Sequence, residues 1–260
     1  MKIFPIIYAL FFQAFVGSSR LNEGLSPPEQ GHLALLEAGL RGVSVTWVQK
    51  ASKSGYVKYG TTVDGLNTKS ALATVKTYSI QDMGGSPANE TKRFVEPGNI
   101  LYAPLTNLTE GVVYYYSFGS DDDNTGFSPV YNFHYGPKSN ASTTFIGYGD
   151  MGAATIGQNS TRLILANMDD VDVIVHVGDI SYAMGNERVW SDWFKMIEPV
   201  TTKIPYHVCL GNHEYDWPTQ SFKPLLFTYM KDSGGECGKL LRWKFAHCCP
   251  SEDVAKDHST

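Results

Sequence analysis

The residues of this chain that could do chemistry gather in three short stretches. They are Gly149-Asp150-Met151-Gly152, Gly178-Asp179-Ile180-Ser181-Tyr182 and Gly211-Asn212-His213-Glu214. Together they offer two carboxylates, a phenol, a carboxamide and an imidazole. Oxygen and nitrogen donors of this kind suit hard or borderline cations such as Fe(III), Mn(II) or Zn(II). A carboxylate can also bridge two cations, and a pair roughly 3.5–4 Å apart clamps the attacking and leaving oxygens of a phosphoryl displacement. Any one motif taken alone reads equally well as a turn, because Gly permits positive φ and Asp bonds its own backbone. Their joint occurrence and even spacing argue for a site.

The elements that must position these groups are legible around them. Each stretch follows a short apolar run rich in β-formers, at 143–148, 171–177 and 204–210. Such runs, bounded by Gly and joined by helical patterns, read as buried parallel strands of an α/β sheet. Asp150 and Asp179 are separated by about 30 residues, one βαβ unit, and Asn212 follows after a second. Functional groups in such sheets sit past the carboxyl ends of the strands, so three strand ends deliver every donor to one rim. Asn159 or Ser160 is placed to cap a helix running to about Met168, and Asn186 to cap another. In the second, Val189, Trp193 and Ile197 recur at i+4, as do Trp190 and Phe194, until Pro199 ends it. This aromatic stripe reads as core rather than ligand site. The connectivity is β-α-β-α-β with right-handed crossovers.

In this order and spacing, Gly-Asp-x-Gly, Gly-Asp-x-x-Tyr and Gly-Asn-His-Glu resemble the first three metal motifs of the purple acid phosphatases. These are calcineurin-like metallophosphoesterases. Tyr182 marks the branch, since a tyrosinate ligand to Fe(III) gives those enzymes their colour. The resemblance implies a ferric site of Asp150, bridging Asp179, Tyr182 and one histidine. It implies a divalent site (Zn, Mn or Fe) of Asp179, Asn212 and two histidines. His213 would be the catalytic residue, bonding the phosphate or protonating the leaving alkoxide, with Glu214 orienting His213 or a water. The implied activity is acid phosphomonoester hydrolysis by a metal-held hydroxide.

Residues 25–135 carry an all-β pattern. Val43, Val45 and Trp47 alternate with Ser44, Thr46 and Val48, as in a half-buried strand with a core Trp. Further runs at 56–59, 72–78, 100–105, 112–118 and 129–135 are separated by turn clusters, which argues for a Greek-key sandwich. The segment 108–116, ending in Tyr114-Tyr115-Tyr116, resembles the tyrosine corner of fibronectin type III domains. Ser86-Pro87-Ala88-Asn89 and Glu96-Pro97-Gly98 resemble segments of the N-terminal domain of large purple acid phosphatases. The expected fold is thus a fibronectin-III-like β-sandwich, a linker at 136–142 and an α/β metallophosphoesterase domain.

The chain has 260 residues and a formal net charge of −5, which gives no basic footprint for nucleic acid. Lys2 and the apolar run 3–16, broken only by Gln13 and followed by small residues, read as a signal peptide ending near residue 19. The run falls short of the ~20 residues of a membrane span. Secretion is therefore expected, with sequons at Asn89, Asn107, Asn140 and Asn159 as glycosylation sites. Cys209 is expected as a packed thiol inside a strand. Adjacent Cys248 and Cys249 cannot easily bond each other, and no zinc-like cysteine spacing occurs.

Ser233-Gly-Gly-Glu-Cys-Gly238 still resembles the family, whereas 239–260 reads as a divergent tail. The three further histidines that the resemblance calls for do not appear; His247 and His258 lack the flanking pattern. Residues 143–238 thus read as the first half of an incomplete catalytic domain, holding one weakly bound metal. The alternative to an acid phosphatase is a truncated, catalytically silent secreted glycoprotein. Whether it forms a homodimer is left open by the sequence.

Overall fold

The computed structural model describes residues 26–37, 40–66, 69–122, 125–138, 142–215 and 232–245. The expected signal peptide, Asn140, Cys248, Cys249, His247 and His258 lie outside them.

The N-terminal part is a sandwich of two antiparallel four-stranded sheets. One contains β1 (Glu29–Leu35), β2 (Gly42–Gln49), β6 (Asn99–Thr106) and β5 (Thr74–Lys76) in that order. The other contains β4 (Lys69–Leu72), β3 (Tyr56–Gly60), β7 (Val112–Gly119) and β8 (Tyr131–Tyr135). The inward faces meet in a core of Leu33, Val43, Val45, Trp47, Val57, Leu101, Tyr116, Phe118 and Phe133. The expected run at 72–78 is two strands rather than one. The chain leaves β4 at Leu72 and enters β5 at Thr74, switching sheets so that both edges are supplied. The tyrosine corner is present: the Tyr114 hydroxyl accepts the Thr109 N–H at 3.0 Å.

Strand β2 corrects the half-buried reading. All eight of its residues are buried, Ser44 and Thr46 included. Its outer face is covered because the second part of the chain packs there. A second core joins Val48, Tyr78, Met83 and Ile100 of the sandwich to Trp190, Trp193, Phe194, Ile197, Leu240, Leu241 and Phe245. Each such side chain contributes roughly 1.5–3 kcal/mol by burial, so the seam is held mainly by apolar area.

The second part contains a parallel three-stranded sheet in the order β11 (Tyr206–Val208), β10 (Val173–His176), β9 (Phe145–Tyr148). Its crossovers are α1 (Thr155–Asn167) and α2 (Glu187–Thr201). Helix α1 starts several residues before Asn159 and Ser160, which lie inside it, and no side chain caps it. Both polar residues find partners within the helix instead: Asn159 accepts from Arg162 and Ser160 donates to the Ile156 carbonyl. Asn186 does occupy the N-cap of α2, without a side-chain bond. Helix α2 runs past Pro199 to Thr201, because the Thr202 N–H closes the last turn onto the Glu198 and Val200 carbonyls. The stripe Trp190, Trp193, Phe194 and Ile197 is wholly core, as its spacing implies.

Strand β1 sews the two parts together. The Gly31 N–H donates to Glu198 Oε1 at 3.2 Å, and the Gly31 carbonyl accepts from Thr201 Oγ1 at 2.8 Å. The Leu35 N–H donates to His207 Nε2. Two short helices follow β11, α3 (Asn212–Tyr215) and α4 (Lys239–Lys244), and α4 closes the seam, with Leu240 and Leu241 buried and Lys244 Nζ 3.1 Å from Glu187 Oε1. The segment after Gly238, expected as a divergent tail, is thus packed into the core as far as Phe245. Among the described residues no helix is long and apolar enough to cross a membrane.

Candidate metal centre

Three turns leave the carboxyl ends of β9, β10 and β11 side by side. Met151, Gly152 and Asp150 donate backbone N–H groups to the carbonyls of Asp179, Ile180 and Gly178 respectively. The second and third turns touch backbone to backbone: a Cβ on Gly178 would lie 2.8 Å from the Gly211 Cα. Glycine is required there and at Gly211, where a Cβ would lie 2.4 Å from the Asp179 nitrogen, whereas at Gly149 a Cβ would make only ordinary contacts. Asp150, Asp179 and Tyr182 all adopt positive φ, between 53° and 56°. Non-glycine residues in this region cost on the order of 1–3 kcal/mol and persist only where the surroundings dictate them. Three such residues on one rim, each carrying a donor side chain, put strain where the chemistry would be.

The donors converge as their spacing implies. The Tyr182 hydroxyl donates to Asp150 Oδ1 at 2.6 Å and lies 3.4 Å from Asp179 Oδ2. The His213 N–H donates to Asp179 Oδ1 at 3.1 Å, and its ring lies 4.5 Å from the Tyr182 ring. Asn212 Nδ2 donates to Asp232 Oδ2 at 3.0 Å, which turns the amide oxygen into the end available to a cation. His213 Nδ1 is 3.1 Å from the Asp232 carbonyl oxygen. The Tyr182 phenol is pushed well above its ordinary range, by burial first and by its bonds to Asp150 and Asp179. A bound cation inverts that logic, since it favours deprotonated oxygens.

Two carboxylates and a phenol therefore meet in a way that fits a hard cation, with the Asn212 amide on the adjoining turn. Among the described residues no three His, Cys, Asp or Glu side chains converge, so this oxygen-rich set is what they supply.

Glu214 has a different task from the one expected. Its carboxylate bonds backbone and not the neighbouring His213. Its carboxylate accepts three backbone N–H bonds, from Asp179 and Gly211 through Oε2 (2.9 and 3.0 Å) and from Ile180 through Oε1 (2.9 Å). It ties the second turn to the third and sets the backbone of Asp179. Burial raises its pKa, and those three bonds partly offset the rise.

Two further groups escape a reading of the sequence. Asp232 orients Asn212, but nothing in its own neighbours announces that. His176 ends β10 in full burial, with Nδ1 2.8 Å from the Tyr206 hydroxyl, which in turn lies beside the Tyr148 hydroxyl. Burial pulls the imidazole down to about 4, against the nearby charge of Asp150. Cys209 is exposed rather than packed, because β11 ends at Val208 and the thiol falls in the turn beyond it.

Comparison with known proteins agrees with this geometry. Residues 28–135 match the family model described as "Purple acid Phosphatase, N-terminal domain", and residues 143–250 match "Calcineurin-like phosphoesterase". A relative named "Probable inactive purple acid phosphatase 9" from Arabidopsis thaliana is 37% identical over 247 residues, 88% of this chain and 37% of that protein. A "Nucleotide pyrophosphatase/phosphodiesterase" from Hordeum vulgare is 35% identical over 114 residues, 39% of this chain and 30% of the relative. The structure of purple acid phosphatase PPD1 from yellow lupin (Lupinus luteus) seeds superposes with a TM-score of 0.73 at 30% identity. That match covers 87% of this chain and 41% of the lupin chain. The chain spans about a third of the length of the curated relatives it matches. Its two matched segments, its relatives and its fold agree: the chain belongs to the purple acid phosphatase family.

Proposed function

We propose that the rim of Asp150, Asp179, Tyr182 and Asn212, with His213 beside it, binds metal and a phosphomonoester, and that this chain by itself turns the ester over slowly or not at all. The observation that carries the reading is the convergence of the Tyr182 hydroxyl on both Asp150 and Asp179. Asp150, Asp179 and Tyr182 would hold Fe(III). Asp179 and the Asn212 oxygen would hold a divalent ion such as Zn, Mn or Fe. Bound metal supplies Lewis acidity toward the phosphoryl oxygens and lowers the pKa of a water.

The chain's own residues do the rest. His213 is placed to donate a proton or hydrogen bond to the leaving oxygen, worth about 10²–10⁴-fold where the rest of the site is complete. Asp232 fixes the Asn212 amide, and Glu214 fixes the Asp179 backbone. The described donors satisfy one cation better than two, so the clamp on both oxygens is weak. That several relatives carry the words "Probable inactive" in their names supports the silent reading.

The test is metal content and phosphatase activity of the purified chain on p-nitrophenyl phosphate, with and without Fe(III) and Zn(II). We expect at most one retained metal, lost in Asp179→Ala, and turnover near background. Two tightly held metals with a tyrosinate-to-iron colour and rapid turnover would establish the active phosphatase instead. Secretion belongs to the same proposal. Asn89, Asn107 and Asn159 are exposed, as glycosylation needs. Secreted material should lose mass on glycosidase treatment, and no change would count against it.

A further inference from the structure

The motif Ser233-Gly-Gly-Glu-Cys-Gly238 has no role in the metal centre as described, yet it is buried almost throughout. Ser233 and Glu236 are 0% and 1% exposed. The segment interlocks with two others. From the sandwich, Gly84 and Gly85 both donate to the Gly235 carbonyl, and Ala88 donates to the Gly234 carbonyl. From the second metal motif, Met184 and Gly185 lie against Gly234. A Cβ on Gly185 would stand 2.5 Å from the Gly234 carbonyl oxygen, so neither backbone can shift toward the other.

From this segment the Glu236 side chain grips the Tyr182 loop. Its Oε1 accepts the Gly185 N–H at 2.9 Å, and its Oε2 accepts the Trp190 Nε1–H at 2.9 Å. The loop needs such a grip. Tyr182 and Met184 have φ of 54° and 47°, a conformation that costs on the order of 1–3 kcal/mol per residue unless the surroundings enforce it. Tyr182 has no strand on either side, and the first helical turn of α2 starts only at Glu187. Ala183 bonds only within the loop, to Ser181 and Asn186, so the bond from Gly185 to Glu236 is the hydrogen bond to another segment that lies nearest to the phenol on its C-terminal side. On the N-terminal side Glu214 does the same work through Asp179 and Ile180.

We infer that Glu236 is a positioning residue for Tyr182: by holding the Gly185 N–H it keeps the phenol over Asp150 and Asp179, and so sets how well the ferric position holds its cation. This rests on the metal-binding reading of the rim. It extends that reading to a residue that touches no donor, across a loop that the sandwich also braces.

The test compares three variants. Glu236→Ala removes both acceptors and leaves the buried Gly185 N–H without one. Glu236→Gln keeps an acceptor for Gly185 but sets its amide NH2 against the Trp190 Nε1–H, so the Trp190 bond is the one lost. Trp190→Phe removes the other donor and leaves the Gly185 bond intact. Each is titrated with Fe(III) citrate while the visible tyrosinate-to-iron band is followed. In the metal-free proteins, hydrogen exchange at Ala183–Gly185 is compared with exchange at Asp179 and Ile180.

Outer partners of a metal site typically set affinity by 10–100-fold. Glu236→Ala should weaken iron binding by about tenfold or more, shift or bleach the band, and speed exchange at Ala183–Gly185 alone. Glu236→Gln should stay within about threefold of the parent, and so should Trp190→Phe. Equal losses in Glu236→Ala and Trp190→Phe would overturn the proposal, because Glu236 would then act through general packing. Unchanged exchange at Ala183–Gly185 in Glu236→Ala would overturn it as well. If the parent chain shows no band with Fe(III), the metal reading of the rim fails, and the exchange comparison still decides whether Glu236 holds the loop.

Discussion

Both parts of the molecule are built on sheets, but they cover them differently. In the sandwich, the inner faces of two four-stranded sheets meet each other, and the outer face of β2 is also buried by α2 and α4. In the three-stranded parallel sheet, the face carrying Ile174, His176, Tyr206 and Val208 is the one that is fully packed among the described residues. The opposite face shows Phe145 at 66% and Val177 at 59% exposure. Parallel sheets are ordinarily covered on both faces. The site nevertheless forms at the edge of the less covered sheet, because what shapes it is local: three glycine-opened turns bonded to one another and to Glu214. A rim can be preorganised by its own turn chemistry while the sheet beneath it stays open on one side.

The sharpest way to break this comparison is to attack the core that both parts share. Trp193 is fully buried and stacks edge-on with Trp190, Phe194 and Tyr206. Trp193→Ala should cost about 3–5 kcal/mol. Because the seam core includes Val48, Tyr78 and Ile100 of the sandwich, we expect a single shifted denaturation transition. Two separated transitions would mean that the parts fold independently.

Protonation gives the next largest effect. Burial pushes Glu236 up to about 8 from an ordinary 4.5, with the neighbouring carboxylates Glu187 and Glu214 adding to it and the Trp190 and Gly185 bonds opposing it. Between those values the folded state holds more protons than the unfolded one, so stability falls as pH rises. His32 and His176 work in the other direction. Burial holds both at about 4, below the ordinary 6.5, so their share of stability is lost as pH falls from 6.5 through 4. Above 6.5 the histidines are neutral in both states and Glu236 dominates. Raising the pH from 6.5 to 8 should therefore cost on the order of 2 kcal/mol. Glu236→Gln should flatten that limb, as read from denaturant midpoints across the range.

A smaller effect belongs to the sandwich alone. Tyr114→Phe deletes the acceptor for the Thr109 N–H in the tyrosine corner. Thr109 is exposed, so water can replace the bond, and the loss should be about 1 kcal/mol. Metal binding at the rim should not change. A parallel loss of metal would show that the corner is felt across the seam.

How much of this was legible in the sequence follows from what each feature depends on. The strand runs, the core Trp47, the tyrosine corner and the donor set at Asp150, Asp179, Tyr182 and Asn212 are local patterns, and the sequence shows them. Burial of Ser44 and Thr46 depends on a helix more than a hundred residues away, which alternation along β2 does not encode. The early start of α1 escaped because Ala154 offers no side-chain cap, so no start signal exists. Exposure of Cys209 turns on where β11 stops, and strand ends are set by pairing partners. The parts played by Asp232, Glu214 and Glu236 are the hardest to read. A carboxylate that accepts N–H groups, from backbone or side chain, of distant turns looks, in sequence, like any other acid.

The smallest expected effect tests the open face of the parallel sheet directly. Phe145 lies on edge strand β9, two-thirds exposed, and Val177 follows β10 on the same side. A buried Phe replaced by Lys would cost several kcal/mol through lost transfer energy and an unpaired charge. An exposed one loses little, and surface changes are usually within about 0.5 kcal/mol. Phe145→Lys should therefore leave the denaturation midpoint almost where it was. It should also reduce concentration-dependent association, since a charge on an edge strand opposes sheet-to-sheet pairing. Light scattering beside a denaturant titration reads both quantities in one sample series. A loss above about 2 kcal/mol would place Phe145 in a packed environment in solution, and the contrast between the covered sandwich and the open sheet would fall with it.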